Sequence, residues 1–143
     1  MTTSTGGAEE DKLTELDRLA LLQEVDQRLR DLNINLSALE EDIRQREEEL
    51  ASRQTAVTTL RQTRDQLEAQ RVDLERQLDE EGLAMKERRM RLNRVRTEKE
   101  LQAVRREIEV GKEATQRMEA ELLAAKEQLE STVRDLESAE AAL

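Results

Sequence analysis

This sequence contains no phenylalanine, tyrosine or tryptophan, no histidine, no cysteine and no proline. Without cysteine it can form no disulfide, no thiolate zinc site and no redox pair. Without histidine it lacks the commonest general base and metal ligand. It has no run of about 18 apolar residues, so it carries no membrane span. The opening Met1-Thr2-Thr3-Ser4-Thr5-Gly6-Gly7 has neither a basic nor an apolar region, so it is no secretory signal. It reads as part of a flexible tail over residues 1–8, on a cytoplasmic protein.

What remains is Leu, Val, Ile, Met and Ala diluted by Glu, Arg and Gln. Charged residues make up 41% of the 143 positions, and the net charge is −10. This is the composition of a long helix or coiled coil. Disorder is the competing reading of so much charge, and it predicts no hydrophobic period.

A period is present. Steps of three and four from Leu22 reach Val25, Leu29, Leu32, Leu36, Leu39, Ile43, Arg46, Leu50, Arg53, Val57, Leu60, Arg64, Leu67, Arg71, Leu74 and Leu78. Thirteen of these seventeen positions are apolar. Leu13, Leu16 and Leu19 precede them on an adjacent face. A spacing kept for about eight heptads marks a supercoiled seam and sets disorder aside. The helix is expected to run over 9–92, with Glu9, Glu10 and Asp11 near its positive end.

The frame continues through Glu81, Met85, Arg88, Leu92 and Val95, then breaks. A second frame runs through Leu101, Val104, Ile108, Gly111, Thr115, Met118, Leu122, Ala125, Leu129, Thr132, Leu136, Ala139 and Leu143. The six-residue gap from Val95 to Leu101 fits neither step. Thr97-Glu98-Lys99-Glu100 has the form of a capping box directly before the second apolar run. Asn93 is an acceptable turn residue just upstream. The expected architecture is all-α: a long antiparallel coiled-coil helical hairpin, turning at 93–97 into a second helix over 98–143. The rival is a stutter in one continuous helix of a parallel oligomer, since no Gly or Pro marks the turn. Gly82 is another possible bend.

Folded at 93–97, the two frames can be laid together. Leu92 then faces Leu101, Met85 faces Ile108, Leu78 faces Thr115 and Val57 lies near Leu136. Arg64 and Arg71 fall opposite Leu129 and Leu122, where their stems can lie along the seam while the guanidinium reaches water. Met85, Met90 and Met118 read as seam fillers. Asn33-Ile34-Asn35 reads as a local irregularity on a helix face.

The first helix is expected to be roughly 126 Å long and the second roughly 69 Å. Their pairing leaves Leu13 to Ile43 without a partner, and such a stripe invites association. The exposed seam would comprise Leu22, Val25, Leu29, Leu32, Leu36, Leu39 and Ile43. A chain that continues past Leu143, self-association of this stripe, and docking onto another protein are all open accounts of it.

The segment from Arg91 to Glu109 resembles bacterial C4-type zinc-ribbon proteins. They have a coiled-coil hairpin followed by a small four-cysteine ribbon. Their second helix typically opens Lys-Glu-Leu/Tyr-x-Ala-Leu-x-x-Glu-Ile. Here that reads Lys99-Glu100-Leu101-Gln102-Ala103-Val104-Arg105-Arg106-Glu107-Ile108. The motif covers about a seventh of the chain, and the ribbon itself is absent. The resemblance implies truncation before a ribbon, with zinc expected only there and no cofactor in this chain. It also implies chaperone-like adaptor work in flagellar or type III secretion, on export components or the enhancer-dependent sigma factor.

Charge is uneven. Lys86, Arg88, Arg89, Arg91, Arg94, Arg96, Lys99, Arg105 and Arg106 are opposed between 86 and 106 only by Glu87, Glu98 and Glu100, a local balance of +6. In a hairpin they gather at its tip, where Arg88, Arg89, Arg91, Arg94, Arg96, Lys99, Arg105 and Arg106 are candidates for binding a partner. A basic tip suits an acidic protein surface or phosphates. Nucleic acid is the weaker match because stacking aromatics are wholly absent. Acid pairs such as Glu47 with Glu48 or Glu80 with Glu81 would need a pocket to do acid–base chemistry. A two-helix rod offers none, so the chain reads as a scaffold or adaptor and not an enzyme.

Overall fold

The computed structural model describes residues 4–143, with side chains from residue 7. It contains two helices, α1 (Ser4–Leu92) and α2 (Glu98–Ala141), and no strand among the described residues. They divide into two units, Met1–Leu50 and Ala51–Leu143. In the second unit the part of α1 from Ala51 to Leu92 packs antiparallel against α2. The fold is therefore an all-α helical hairpin, and the continuous-helix alternative does not apply.

Helix is the state this sequence favours locally. It has no proline to interrupt the backbone, and acids and arginines recur at three- and four-residue spacing. Arg44 bridges Glu41 at 2.5 Å and Glu48 at 3.0 Å, and Arg76 bridges Asp73 at 2.5 Å and Glu80 at 3.0 Å. Arg28 reaches Glu24 at 3.0 Å and Arg46 reaches Asp42 at 3.1 Å. Such exposed pairs each contribute only a few tenths of a kcal/mol. Their number explains how α1 stays helical where nothing packs on it.

The helix starts earlier than expected. Residues 1–3 of the tail lie outside the described residues, but α1 already runs from Ser4, not from residue 9. Extending an existing helix by one residue costs far less than nucleating one, so Gly6 and Gly7 do not stop it. Glu9, Glu10 and Asp11 consequently lie beyond the first turn, which contains no acid. Gly82 and the Asn33-Ile34-Asn35 segment lie within continuous helix.

The turn is made without any left-handed residue. No residue in the described chain has a positive φ. Asn93 N–H donates to the Met90 carbonyl at 3.3 Å and Arg94 N–H to that of Arg91 at 2.9 Å, closing α1 with short loops of hydrogen bonding. Thr97 then caps α2 from an extended conformation (φ −118°, ψ 150°), its hydroxyl accepting from Glu100 N–H at 3.2 Å. Its carbonyl takes the first intrahelical bond, from Leu101 N–H at 3.0 Å. Glu98 and Glu100 add negative charge to the first turn of α2, where the helix dipole favours it. Thr97→Ala is expected to lower the stability of the hairpin by about 1 kcal/mol, read as a shift in the urea midpoint, with Thr97→Ser close to wild type.

The seam follows both spacing frames. On α1 it is Val57, Leu60, Leu67, Leu74, Leu78, Met85 and Leu92. On α2 it is Leu101, Val104, Ile108, Gly111, Met118, Leu122, Ala125, Leu129 and Leu136. Val57, Leu74, Val104, Ala125 and Leu136 form its most buried part. Val95, in the turn, is half-buried and closes the end of the seam. Met118 and Met85 are seam residues, but Met90 points to solvent.

The arginines in the frame solve their burial in different ways. Arg71 keeps a half-buried stem while its guanidinium bridges Glu68 and Glu75, and Arg64 reaches Asp65 at 3.0 Å. The hydrogen bond from Arg71 holds the Glu68 carboxyl below the usual glutamate range. Arg53 donates to the Ala142 carbonyl at 2.8 Å, so a cation meets the negative end of α2 where it is favoured. The second helix itself ends at Ala141, two residues before the expected 143.

Candidate interaction surfaces

Two surfaces stand out, one in each unit. In the first unit every described side chain is exposed. The apolar frame is uncovered along its length, from Leu22 at 58% through Leu32 at 62% to Ile43 at 54%. Leu21, Leu22 and Val25, with the stem of Arg18, line a shallow hollow of about 340 Å³ on this face. The seven residues expected as an exposed seam, Leu22, Val25, Leu29, Leu32, Leu36, Leu39 and Ile43, are all solvent-facing on one helix. Covering the exposed half of such a side chain is worth about 1 kcal/mol. Seven of them in a row make a continuous hydrophobic face of the kind that marks association sites.

The second surface is the basic end of the hairpin, and here the structure sorts the sequence candidates. Arg88 does not belong to the exposed set. Its side chain is only 24% exposed, and Nη1 bonds Glu81 Oε1 at 2.6 Å. The reason is Gly111 on α2. A Cβ there would lie 2.5 Å from Arg88 Nη1 and 2.8 Å from both Glu81 Oε1 and Met85 Cε. The missing side chain makes the space in which the ion pair sits. Arg91 is also engaged, in an interhelical pair with Glu107. Arg89, Arg94, Arg96, Lys99, Arg105 and Arg106 are exposed, and no ion pair engages them among the described residues.

The structure adds two cations to this group. Lys86 and Arg89 on α1 and Lys112 on α2 border one groove of about 500 Å³, over Gly82, Met85 and Thr115. Lys86 was part of the basic run in sequence. Lys112 lay outside it, because a linear window cannot see that antiparallel packing brings residue 112 level with residues 82–89. A helical-wheel projection of both frames together would have found it.

Opposite charges meet across the hairpin. Arg61 bonds Glu140 at 2.9 Å, Glu75 lies 3.7 Å from Lys126, and Arg91 pairs with Glu107. Each pair is exposed enough to contribute little stability, but together they favour one register and one partner.

Both surfaces are open and face solvent. The four-cysteine zinc ribbon of the proteins this chain resembles has no counterpart in the sequence, which has neither cysteine nor histidine. Among the described residues no group of three or more carboxylates is placed to hold a metal ion, and no helix is long and apolar enough to cross a membrane. Comparison with protein-family models, curated proteins and solved structures returns no match for this chain.

Proposed function

We propose that this chain is a non-catalytic coiled-coil adaptor that binds other proteins by helix docking, in the cytoplasm. The observation that carries this reading is the uncovered stripe from Leu22 to Ile43. The chain closes one helical seam on itself and holds the continuation of the same frame open. The similarity of Lys99 to Ile108 to the second-helix motif of C4-type zinc-ribbon proteins supports the same reading. It directs attention to flagellar or type III export components and to the enhancer-dependent sigma factor as partners, with a chaperone-like role.

A second reading rests on the cations at the hairpin end. Arg94, Arg96, Lys99, Arg105 and Arg106 are exposed and unengaged among the described residues. They could hold nucleic acid or a polymerase-associated surface through a salt-sensitive contact. One experiment separates the two. Tagged wild type is recovered from its native cells beside Leu29→Glu/Leu36→Glu and Arg94→Glu/Arg96→Glu/Lys99→Glu, and co-purifying proteins are identified by mass. Adaptor function predicts that an export component or sigma factor is lost with the leucine variant and kept with the arginine variant. Loss with the arginine variant alone, together with salt-sensitive nucleic acid, supports the second reading and removes the first.

A further inference from the structure

We infer that the open stripe of α1 is built to receive a basic amphipathic helix, one whose own apolar stripe is bordered by Lys or Arg, and not a second copy of itself. This rests on the adaptor reading and adds the chemistry of the partner. The positions that border the stripe are those just before Leu22, Leu29, Leu36, Ile43 and Leu50 and just after Val25, Leu32, Leu39 and Arg46. Five of these nine are acids, Asp26, Glu40, Asp42, Glu47 and Glu49, and one is a base, Arg28. The acids are not neutralised within the helix. Asp42 pairs with Arg46, but Asp26, Glu40, Glu47 and Glu49 have no ion pair among the described residues, whereas the outward-facing Glu24, Glu41 and Glu48 do. Arg28, the one base, is already bonded to Glu24. The local cations thus serve the solvent face and leave the borders of the stripe negative.

This chain shows what such bordering charges do when a helix covers them. In the hairpin, Arg61, Glu75 and Arg91 each meet an opposite charge on α2. By the same rule the acidic borders of the open stripe call for cations. Self-pairing would supply the reverse. In a parallel pair Asp42 would stand near Glu47 of the other copy, and Arg46 would face its own counterpart in the core. An antiparallel pair centred on Ile34 brings Asp26 toward Glu40, while Arg28, the one base it would bring toward Asp42, is already bonded to Glu24. Like charges at these positions select against a pairing.

The test uses the whole chain and two synthetic helices of about four heptads. Both have leucine and isoleucine along the stripe; one has lysine at the bordering positions and the other glutamate. Binding is read by fluorescence anisotropy, and the state of the chain alone by sedimentation equilibrium. The expected result is a monomeric chain that binds the lysine peptide about tenfold or more tighter than the glutamate peptide. The variant Asp26→Lys/Glu40→Lys/Glu47→Lys/Glu49→Lys should invert that preference, with its helical content checked by circular dichroism. Equal binding of the two peptides, or a preference that survives the charge reversal, overturns the basic-helix inference and leaves the adaptor reading standing. Binding of neither peptide overturns it as well, as does a dimer of the chain that Leu32→Glu disperses.

Discussion

Leu74→Ala is expected to lower the stability of the hairpin by about 2–3 kcal/mol, while Leu32→Ala changes stability by less than about 0.5 kcal/mol. The two leucines occupy equivalent places in one uninterrupted spacing frame, and both lie on α1. They differ in what covers them. Leu74 is 5% exposed and Leu32 is 62% exposed. Removing a buried leucine loses the transfer free energy of its methyl groups and leaves a cavity. Two helices can close up over part of that cavity, which places the cost at the lower end of the usual range. Removing Leu32 deletes surface already in water. Urea midpoints of the two variants, compared with wild type, check this. Equal losses would mean that Leu32 is covered in solution or that Leu74 lies outside the seam.

At Gly111, growth of the side chain sets two effects against each other. Gly111→Ala should leave stability within about 0.5 kcal/mol of wild type, and Gly111→Leu should lower it by about 1–3 kcal/mol. A glycine inside a helix costs about 1 kcal/mol relative to alanine, so alanine gains on propensity. Its Cβ would also meet Arg88 Nη1, Glu81 Oε1 and Met85 Cε at 2.8 Å or less. These are ends of flexible side chains and can retreat a short way, at the expense of their own packing. Leucine needs the whole volume, so it must expel the Arg88–Glu81 pair or part the helices. Gly82→Ala is the control. Nothing lies within 4 Å of a Cβ at Gly82, and this variant should gain about 0.8–1.0 kcal/mol. Denaturant melts of the three variants read the result directly. A stabilised Gly111→Leu would show that the ion pair does not occupy the seam.

Much of this was legible from residues alone. The frame from Leu22 to Leu78 and the second frame from Leu101 named the apolar face of each helix and, from Val57 onward, the positions that turn inward, because a helix that buries one face must repeat its apolar residues at that interval. The capping form of Thr97 to Glu100 was the informative signal at the turn. The absence of glycine there carried no information, since every backbone angle in the turn is accessible to ordinary residues. The charge run from Lys86 to Arg106 was equally plain. Its division into engaged and open members was not. Arg88 turns inward because Gly111 vacates the space opposite it, and Lys112 joins the basic groove from the other helix.

Sequence by itself determined that this chain is helical, which face of each helix is apolar and where the pattern breaks. These are properties of neighbours within about seven residues, and local spacing encodes them. Only the tertiary structure decided that the break is a reversal, which arginines are engaged in ion pairs and which stripe is left without cover. Those outcomes depend on residues some 16 to 89 positions apart, such as Arg91 with Glu107 and Arg53 with Ala142. A one-dimensional pattern shows that a face seeks a partner; packing in three dimensions determines which partner it has found.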